Sequence, residues 1–307
     1  MPLYTAYGLQ IDSELPLPGL PPGSSLPADV KIRYGSVPNN LPEPIGNGGY
    51  FEATHDTFLF RVKYIGRYLV EKGESITIDR LPDSHEDVLR TYLMGSAFGA
   101  LMHQRRLLVM HASSIQTAQG AVLFVGRSGH GKSTLLAALV KRGYAMLSDD
   151  VTVIDMECQS GPVAFPSFPS MRLGTETAAR IGREVASLPL VRYTDKRVVP
   201  VENFCAEPLP VHAVYALGVS EAPGIRVEQT EPLQRFTIVA NNTYRYEFLE
   251  TLGLRQVHFQ AASRLAQAMQ VYQIKRPESP FLLNELVDRL GVELGEPVKT
   301  IQQQEVS

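Results

Sequence analysis

Apolar residues recur along this chain with two periods, and the change from one to the other marks its organisation. Up to residue 82 the pattern is short and strand-like. Val30-Lys31-Ile32-Arg33-Tyr34 alternates with period two, as a half-buried strand does. Tyr50-Phe51-Glu52-Ala53, Thr57-Phe58-Leu59-Phe60-Arg61-Val62, Tyr68-Leu69-Val70-Glu71 and Ser75-Ile76-Thr77-Ile78 are further short β-like runs. Turn residues such as His55-Asp56 and Lys72-Gly73-Glu74 separate them, which predicts a small antiparallel meander. Tyr7-Gly8-Leu9-Gln10-Ile11 predicts one more short strand. The run Leu15-Pro16-Leu17-Pro18-Gly19-Leu20-Pro21-Pro22-Gly23 excludes a helix interior or a central strand. Its leucines predict an ordered, extended surface segment. Residues 1–82 therefore read as a β-rich N-terminal domain.

Over residues 83–106 the period becomes helical. Leu89, Leu93, Ala97 and Leu101 form a stripe that Met94, Phe98 and Met102 widen. Ser84 is the expected N-cap, with Asp87 favourably charged in the first turn. Gly95 and Gly99 work against this bridging helix, each costing about 1 kcal/mol relative to alanine.

Residues 107–300 alternate strand and helix patterns. Strands are expected at 107–115, 121–125, 145–148 and 151–154, with a helix over 135–140 that stops at Lys141-Arg142-Gly143. Beyond residue 160 the expectations are a loop at 165–169, a helix at 175–186 and a basic turn into a strand at 195–201. Strands follow at 211–219 and 225–228, helices at 233–252 and 260–270, a strand at 271–274 and a helix at 280–290. The polar residues 301–307 read as a disordered tail.

Between the strand at 121–125 and the helix lies Gly126-Arg127-Ser128-Gly129-His130-Gly131-Lys132-Ser133-Thr134, which has the form G-x-x-x-x-G-K-S. Glycines let the backbone curl so that successive N–H groups face one anion, and the helix N-terminus adds its positive end. Lys132 can then reach the β- and γ-phosphates of a nucleotide and Ser133 can hold Mg²⁺. The expected nucleotide-binding set is Gly126, Ser128, Gly129, His130, Gly131, Lys132, Ser133 and Thr134, with ATP and Mg²⁺ as the cofactors.

A second element narrows the chemistry. Asp149-Asp150 follows Lys132 by one helix and closes the next strand. If the two strands are parallel neighbours, their carboxyl ends share one crevice. One carboxylate can then bind Mg²⁺ and the other can take a proton from an attacking hydroxyl. Ser133 and Asp150 are the expected metal ligands, and Asp149 and Asp150 the expected catalytic carboxylates. The spacing excludes transporter-type ATPases, which carry a Leu-Ser-Gly-Gly-Gln signature and a distant Asp-Glu pair.

Composition adds limits. Of 307 residues, 44% are hydrophobic, enough for a substantial core. The net charge of −3 gives no global drive toward nucleic acid or anionic membrane, and neither is an expected partner. No apolar run approaches the ~20 residues of a membrane span. Cys158 and Cys205 are distant and lack metal-ligand spacing, which suits reduced thiols. With no basic or apolar signal region at Met1-Pro2-Leu3-Tyr4, the expected location is the cytoplasm.

His111, the loop Gly126-x-Ser128-Gly129-x-Gly131-Lys132-Ser133 and Asp149-Asp150, in this order and spacing, resemble the HPr serine kinase/phosphorylase superfamily over residues 107–155. Tyr7-Gly8-Leu9 and Leu15-Pro16-Leu17 resemble a shorter bacterial branch whose members include kinases of lasso-peptide precursors. The resemblance implies an α/β fold: a P-loop kinase domain of the HPr kinase/PEP carboxykinase-like type with a β-rich N-terminal domain. It implies an ATP-dependent serine kinase acting on a peptide or small protein, His111 near the phosphates as a catalytic residue, and a homo-oligomer. Thr134 stands where true HPr kinases have glutamate, and their glycine-rich second signature has no counterpart, so the resemblance does not extend to HPr recognition or the reverse reaction. Two other readings stay open: a nucleotide-binding regulatory module without transfer, and a kinase of a small metabolite. Arg172, Lys196 and Arg197 have no assigned role.

Overall fold

The computed structural model describes residues 1–298 apart from 25–26, 181, 183, 193 and 280–281; the tail at 301–307 lies outside them. Among the described residues it is a mixed α/β structure with an eight-stranded and a nine-stranded sheet. The first contains β1 (Leu3–Ala6), β2 (Leu9–Ser13), β3 (Val30–Tyr34), β4 (Gly46–Asn47), β5 (Phe51–Ala53), β6 (Thr57–Val62), β7 (Gly66–Glu71) and β8 (Ser75–Arg80), in the order β1-β2-β3-β8-β7-β6-β5-β4. The expected meander is there from β5 to β8, all antiparallel. Two parallel pairings, β2 with β3 and β3 with β8, extend it. The single strand expected at 7–11 is instead a hairpin, because Tyr7 and Gly8 both take positive φ and turn the chain between β1 and β2. In the proline-rich segment Leu15 and Leu17 are buried, which is how an irregular stretch stays attached to a sheet.

The inner face of this sheet packs on the bridging helix, formed by α1 (Glu86–Tyr92), a π-helical turn at Leu93–Ala97 and α2 (Phe98–Gln104). The stripe Leu89, Leu93, Ala97 and Leu101 is wholly buried. Ser84 does not cap the helix: its hydroxyl donates to Leu81 O, and His85 occupies the N-cap position. The two glycines have a steric reason. A Cβ on Gly95 would come within 3.3 Å of Tyr244 Oη, and one on Gly99 within 3.0 Å of the same ring. Their helix-propensity penalty accompanies space for a tyrosine from the far end of the chain.

The second sheet is built from β9 (Leu108–Met110), β10 (Ala112–Thr117), β11 (Gly120–Val125), β12 (Met146–Ser148), β13 (Thr152–Asp155), β14 (Val163–Phe165), β17 (Leu209–Val219), β18 (Arg226–Gln229) and β19 (Gln270–Arg276). A separate two-stranded sheet pairs β15 (Ser170–Gly174) with β16 (Lys196–Pro200). On one face of the large sheet lie α3 (Lys132–Lys141) and α8 (Leu283–Leu294); on the other lie α5 (Pro232–Asn241) and α7 (Arg255–Ala268). β11 shows why: Val122 and Phe124 face α3, while Ala121, Leu123 and Val125 face the other layer, so the strand is apolar throughout.

Three expectations change here. The strand expected over 107–115 breaks at His111, whose N–H donates to Asn242 O, and β9 and β10 go to different partners. The helix expected over 233–252 is two helices, α5 and α6 (Tyr246–Thr251), because residues 242–245 turn inward and Arg245 takes a left-handed φ of 51°. The helix expected over 175–186 gives only α4 (Thr175–Arg180), followed by a 3₁₀ turn at Val185–Ser187.

The two sheets share apolar packing. Phe248 of α6 is fully buried among Phe51, Phe58 and Phe60 of the first sheet, with ring centroids 4.9, 4.6 and 6.3 Å away. Phe248→Ala is therefore expected to lower stability by about 3–5 kcal/mol. Urea unfolding should show signals from both halves of the chain shifting together; a shift confined to one half would contradict a common core.

Candidate functional site

The glycine loop leaves the carboxyl end of β11. Gly126 has φ 145°, and a Cβ there would lie 2.7 Å from Leu217 O, so the close approach of β17 requires glycine. Gly129 and Gly131 have φ of 85° and 91°, and Gly131 forms the N-cap of α3. Lys132 folds back over the loop, donating from Nζ to Gly126 O at 2.8 Å and Arg127 O at 3.4 Å. Burial pushes its pKa down, while the nearby carboxylates of Asp150 and Asp149 oppose that shift. Arg276 Nη2 donates to His130 O at 3.0 Å, and His130 Nδ1 lies 3.1 Å from Leu217 O, which anchors the loop's outer limb.

Asp149 lies at the end of β12, 8% exposed. Its Oδ1 accepts from Ser113 Oγ and Ser133 Oγ, both at 2.9 Å, and its Oδ2 accepts from the Arg172 backbone N–H at 3.0 Å. One carboxylate thus joins β10, α3 and β15. Burial pushes its pKa up, and the neighbouring Asp150 adds to this. The three donors pull the other way. The expectation that β11 and β12 are direct neighbours fails: the order is β12-β10-β11, with β10 antiparallel to both. An inserted antiparallel strand leaves the outer two running the same way. Asp149 still arrives at the loop end of the sheet, and Ser113 of the inserted strand is bonded to it.

Asp150 turns the chain at φ 68°, a left-handed conformation that aspartate tolerates better than most residues. His111 Nδ1 is 2.9 Å from Asp150 O and 3.4 Å from its Oδ1. Because a carbonyl oxygen can only accept, the ring nitrogen donates. Both side chains are part-exposed to one cleft of about 220 Å³, lined also by Ser128, Gly129, Gly131, Lys132, Ser133 and Thr134. Every residue of the expected set except Gly126 and His130 either lines this cleft or, as Asp149, bonds to a residue that does. Arg172 and Lys196 join it from the β15–β16 hairpin. Arg197 does not: its guanidinium donates to Leu188 O.

Sequence reasoning missed three contributors. Ser113 was legible as a polar residue inside an apolar strand. Asn242 accepts the Gly126 N–H on Oδ1 at 2.8 Å and the His111 N–H on its backbone oxygen at 2.7 Å, tying loop to strand break. The only signal was the polar run Asn241-Asn242-Thr243 inside a predicted helix. Tyr244 packs 6.1 Å from the His111 ring, and its pKa is raised by burial and then by Asp150. Nothing local in the sequence announces it.

The donor set fits Mg²⁺. Ser133 and Asp149 present hard oxygen ligands 2.9 Å apart at the mouth of the glycine loop. The sign of Asp149's linkage can be tested. Its folded pKa lies above the ordinary 3.8, so the folded state holds a proton that the unfolded state releases, and stability falls as pH rises from 3.8 through the raised value. Asp149→Asn should remove this loss. In metal-free urea titrations it should be the more stable protein at neutral pH, with the gap closing near pH 4. A gap between the two proteins that fails to widen as pH rises over that window would contradict the assignment.

No protein-family model and no curated protein matches the chain. A solved structure described as the HPr(Ser) kinase/phosphatase from Coxiella burnetii is similar over 60% of this chain and 97% of that one, at 15% identity and a TM-score of 0.29. A likeness this loose carries no weight for either fold or chemistry. Among the described residues no helix is long and apolar enough to cross a membrane.

Proposed function

We propose that this protein is an ATP- and Mg²⁺-dependent kinase that transfers the γ-phosphate to a serine hydroxyl of a peptide or small protein. The observation that carries the reading is the division of labour between the paired acids. Asp149 is buried and bonded to the Ser133 hydroxyl, whereas Asp150 opens into the cleft beside Lys132. Binding alone has no use for a second, accessible carboxylate beside the lysine.

In this reading the N–H groups of Gly129, Gly131, Lys132 and Ser133 hold the phosphates at the start of α3. Lys132 exchanges the Gly126 and Arg127 carbonyls for phosphate oxygens. Ser133 and Asp149 would hold Mg²⁺, which supplies charge neutralisation on the β- and γ-phosphates when bound. Asp150 accepts the proton as the serine oxygen bonds to the γ-phosphorus and ADP leaves. His111, donating to Asp150 O, keeps the left-handed turn that points the Asp150 carboxylate into the cleft. These roles exchange those expected from the sequence alone, where Asp150 was the metal ligand and Asp149 the leading base. Both Asp149 oxygens already accept hydrogen bonds, which suits a fixed ligand better than a base.

Transfer from γ-labelled ATP to serine peptides, a lasso-type precursor among them, should occur with the full chain and stop with EDTA or Lys132→Ala. Asp150→Asn should lower the rate by about 10²–10⁴ while leaving nucleotide binding close to wild type. Full activity in Asp150→Asn would remove its role as base. ATP binding with no transfer to any acceptor would favour a regulatory module, and labelling of a small metabolite alone would move the acceptor class.

A further inference from the structure

A second groove adjoins the phosphate cleft. It has a volume of about 400 Å³, within the range of ligand sites, and lies between the proline-rich segment, the bridging helix and the β15–β16 hairpin. Its apolar lining includes Leu17, Leu20, Met94, Phe168, Leu190 and Val191. Leu190 is 48% exposed, a large apolar side chain left in water.

β15 connects the two spaces. Met171 and Leu173 are buried in the core, so Ser170, Arg172 and Gly174 share the opposite, part-exposed face. Ser170 and Arg172 line the groove; Arg172 and Gly174 line the phosphate cleft. At about 3.3 Å per residue, the four-residue step from 170 to 174 spans roughly 13 Å, which an extended peptide covers in about four residues. The charged residues of the lining are Arg90, Arg172, Arg192 and Asp87. Arg192 Nε is 3.0 Å from Asp87, and Arg90 is 3.1 Å from Glu86. Arg172, at the junction, has no ion-pair partner among the described residues.

We propose that this groove recognises the acceptor. It takes the apolar side chain of an extended peptide whose serine, three or four residues away, lies in the phosphate cleft, and Arg172 at the junction favours acidic over basic neighbours. This rests on the transfer reading above and adds the substrate's chemistry to it.

The test uses the full-length protein and synthetic single-serine peptides in which leucine, alanine or lysine is stepped through the flanking positions. Leucine three or four residues from serine should raise labelling from γ-labelled ATP about tenfold over alanine, and lysine should lower it. Leu190→Glu and Pro18→Glu, on opposite walls and both at exposed positions, should abolish the leucine preference while labelling of the alanine peptides persists. A photoreactive benzoylphenylalanine in place of the leucine should cross-link to residues 17–20 or 189–191. Transfer without leucine preference, or a preference untouched by both variants, overturns the groove and leaves the kinase standing. Cross-linking in the groove without transfer to any peptide supports the groove and removes the kinase. Labelling of the groove by 8-azido-ATP would assign it to the nucleotide base and overturn the proposal.

Discussion

The hydrogen bonds at Asp149 are the constraint on which the site depends. A carboxylate this deeply buried is unfavourable unless its lone pairs are occupied, and here three donors from three elements occupy them. Each donor is fixed by something else. Ser113 is held by the β10 ladder, Ser133 by the first turn of α3 and the Arg172 amide by the β15–β16 hairpin. The bond to the Arg172 amide ties the hairpin to the sheet, beside the core contacts of Met171, Leu173 and Val199. The hairpin supplies both Arg172 and Lys196 to the cleft, so the buried acid bears on the cleft's shape as well as its charge.

The region around this anchor draws on the whole chain. Tyr7 lies in the turn between β1 and β2, its ring 6.5 Å from Phe98 and 6.3 Å from Phe168, and its N–H donates to Pro166 O. Tyr244 occupies the hollow left by Gly95 and Gly99, and its backbone oxygen accepts from His103 Nε2. Burial lowers the His103 pKa to about 4, so that ring is neutral and donates without charge. The N-terminal sheet is thus one wall of the same structure, joined to the second sheet by aromatic contacts.

Much of this was readable from residue order, and the failures have physical causes. Strand and helix of the phosphate loop were legible because an apolar run, a glycine pattern and a basic helix end coincide within about twenty residues. The stripe Leu89, Leu93, Ala97 and Leu101 was legible for the same reason of period. Position in the sheet was not. That β10 lies between β11 and β12 depends on pairings no local pattern encodes, and the break at His111 depends on an asparagine 131 residues later. The difference in setting between the buried Asp149 and the cleft-lining Asp150 was equally hidden. It follows from which carboxylate is enclosed by donors, and adjacent identical residues carry no trace of that. Gly95 and Gly99 looked like weaknesses in a helix because their partner, Tyr244, is distant in sequence.

The Asn242 bridge bears on how the molecule comes into being. The phosphate-loop motif is complete by residue 134, but its first amide and the peptide of His111 wait for a side chain and a carbonyl supplied more than a hundred positions later. A chain emerging from the ribosome therefore carries its signature long before it can hold the signature in shape. Long-range closures of this kind slow folding. Until β17 and residue 242 have been made, the glycine loop has neither the strand behind Gly126 nor the amide acceptor that fixes its start. A nascent chain stopped before that point would contain every residue of the motif without the contacts that hold its first glycine.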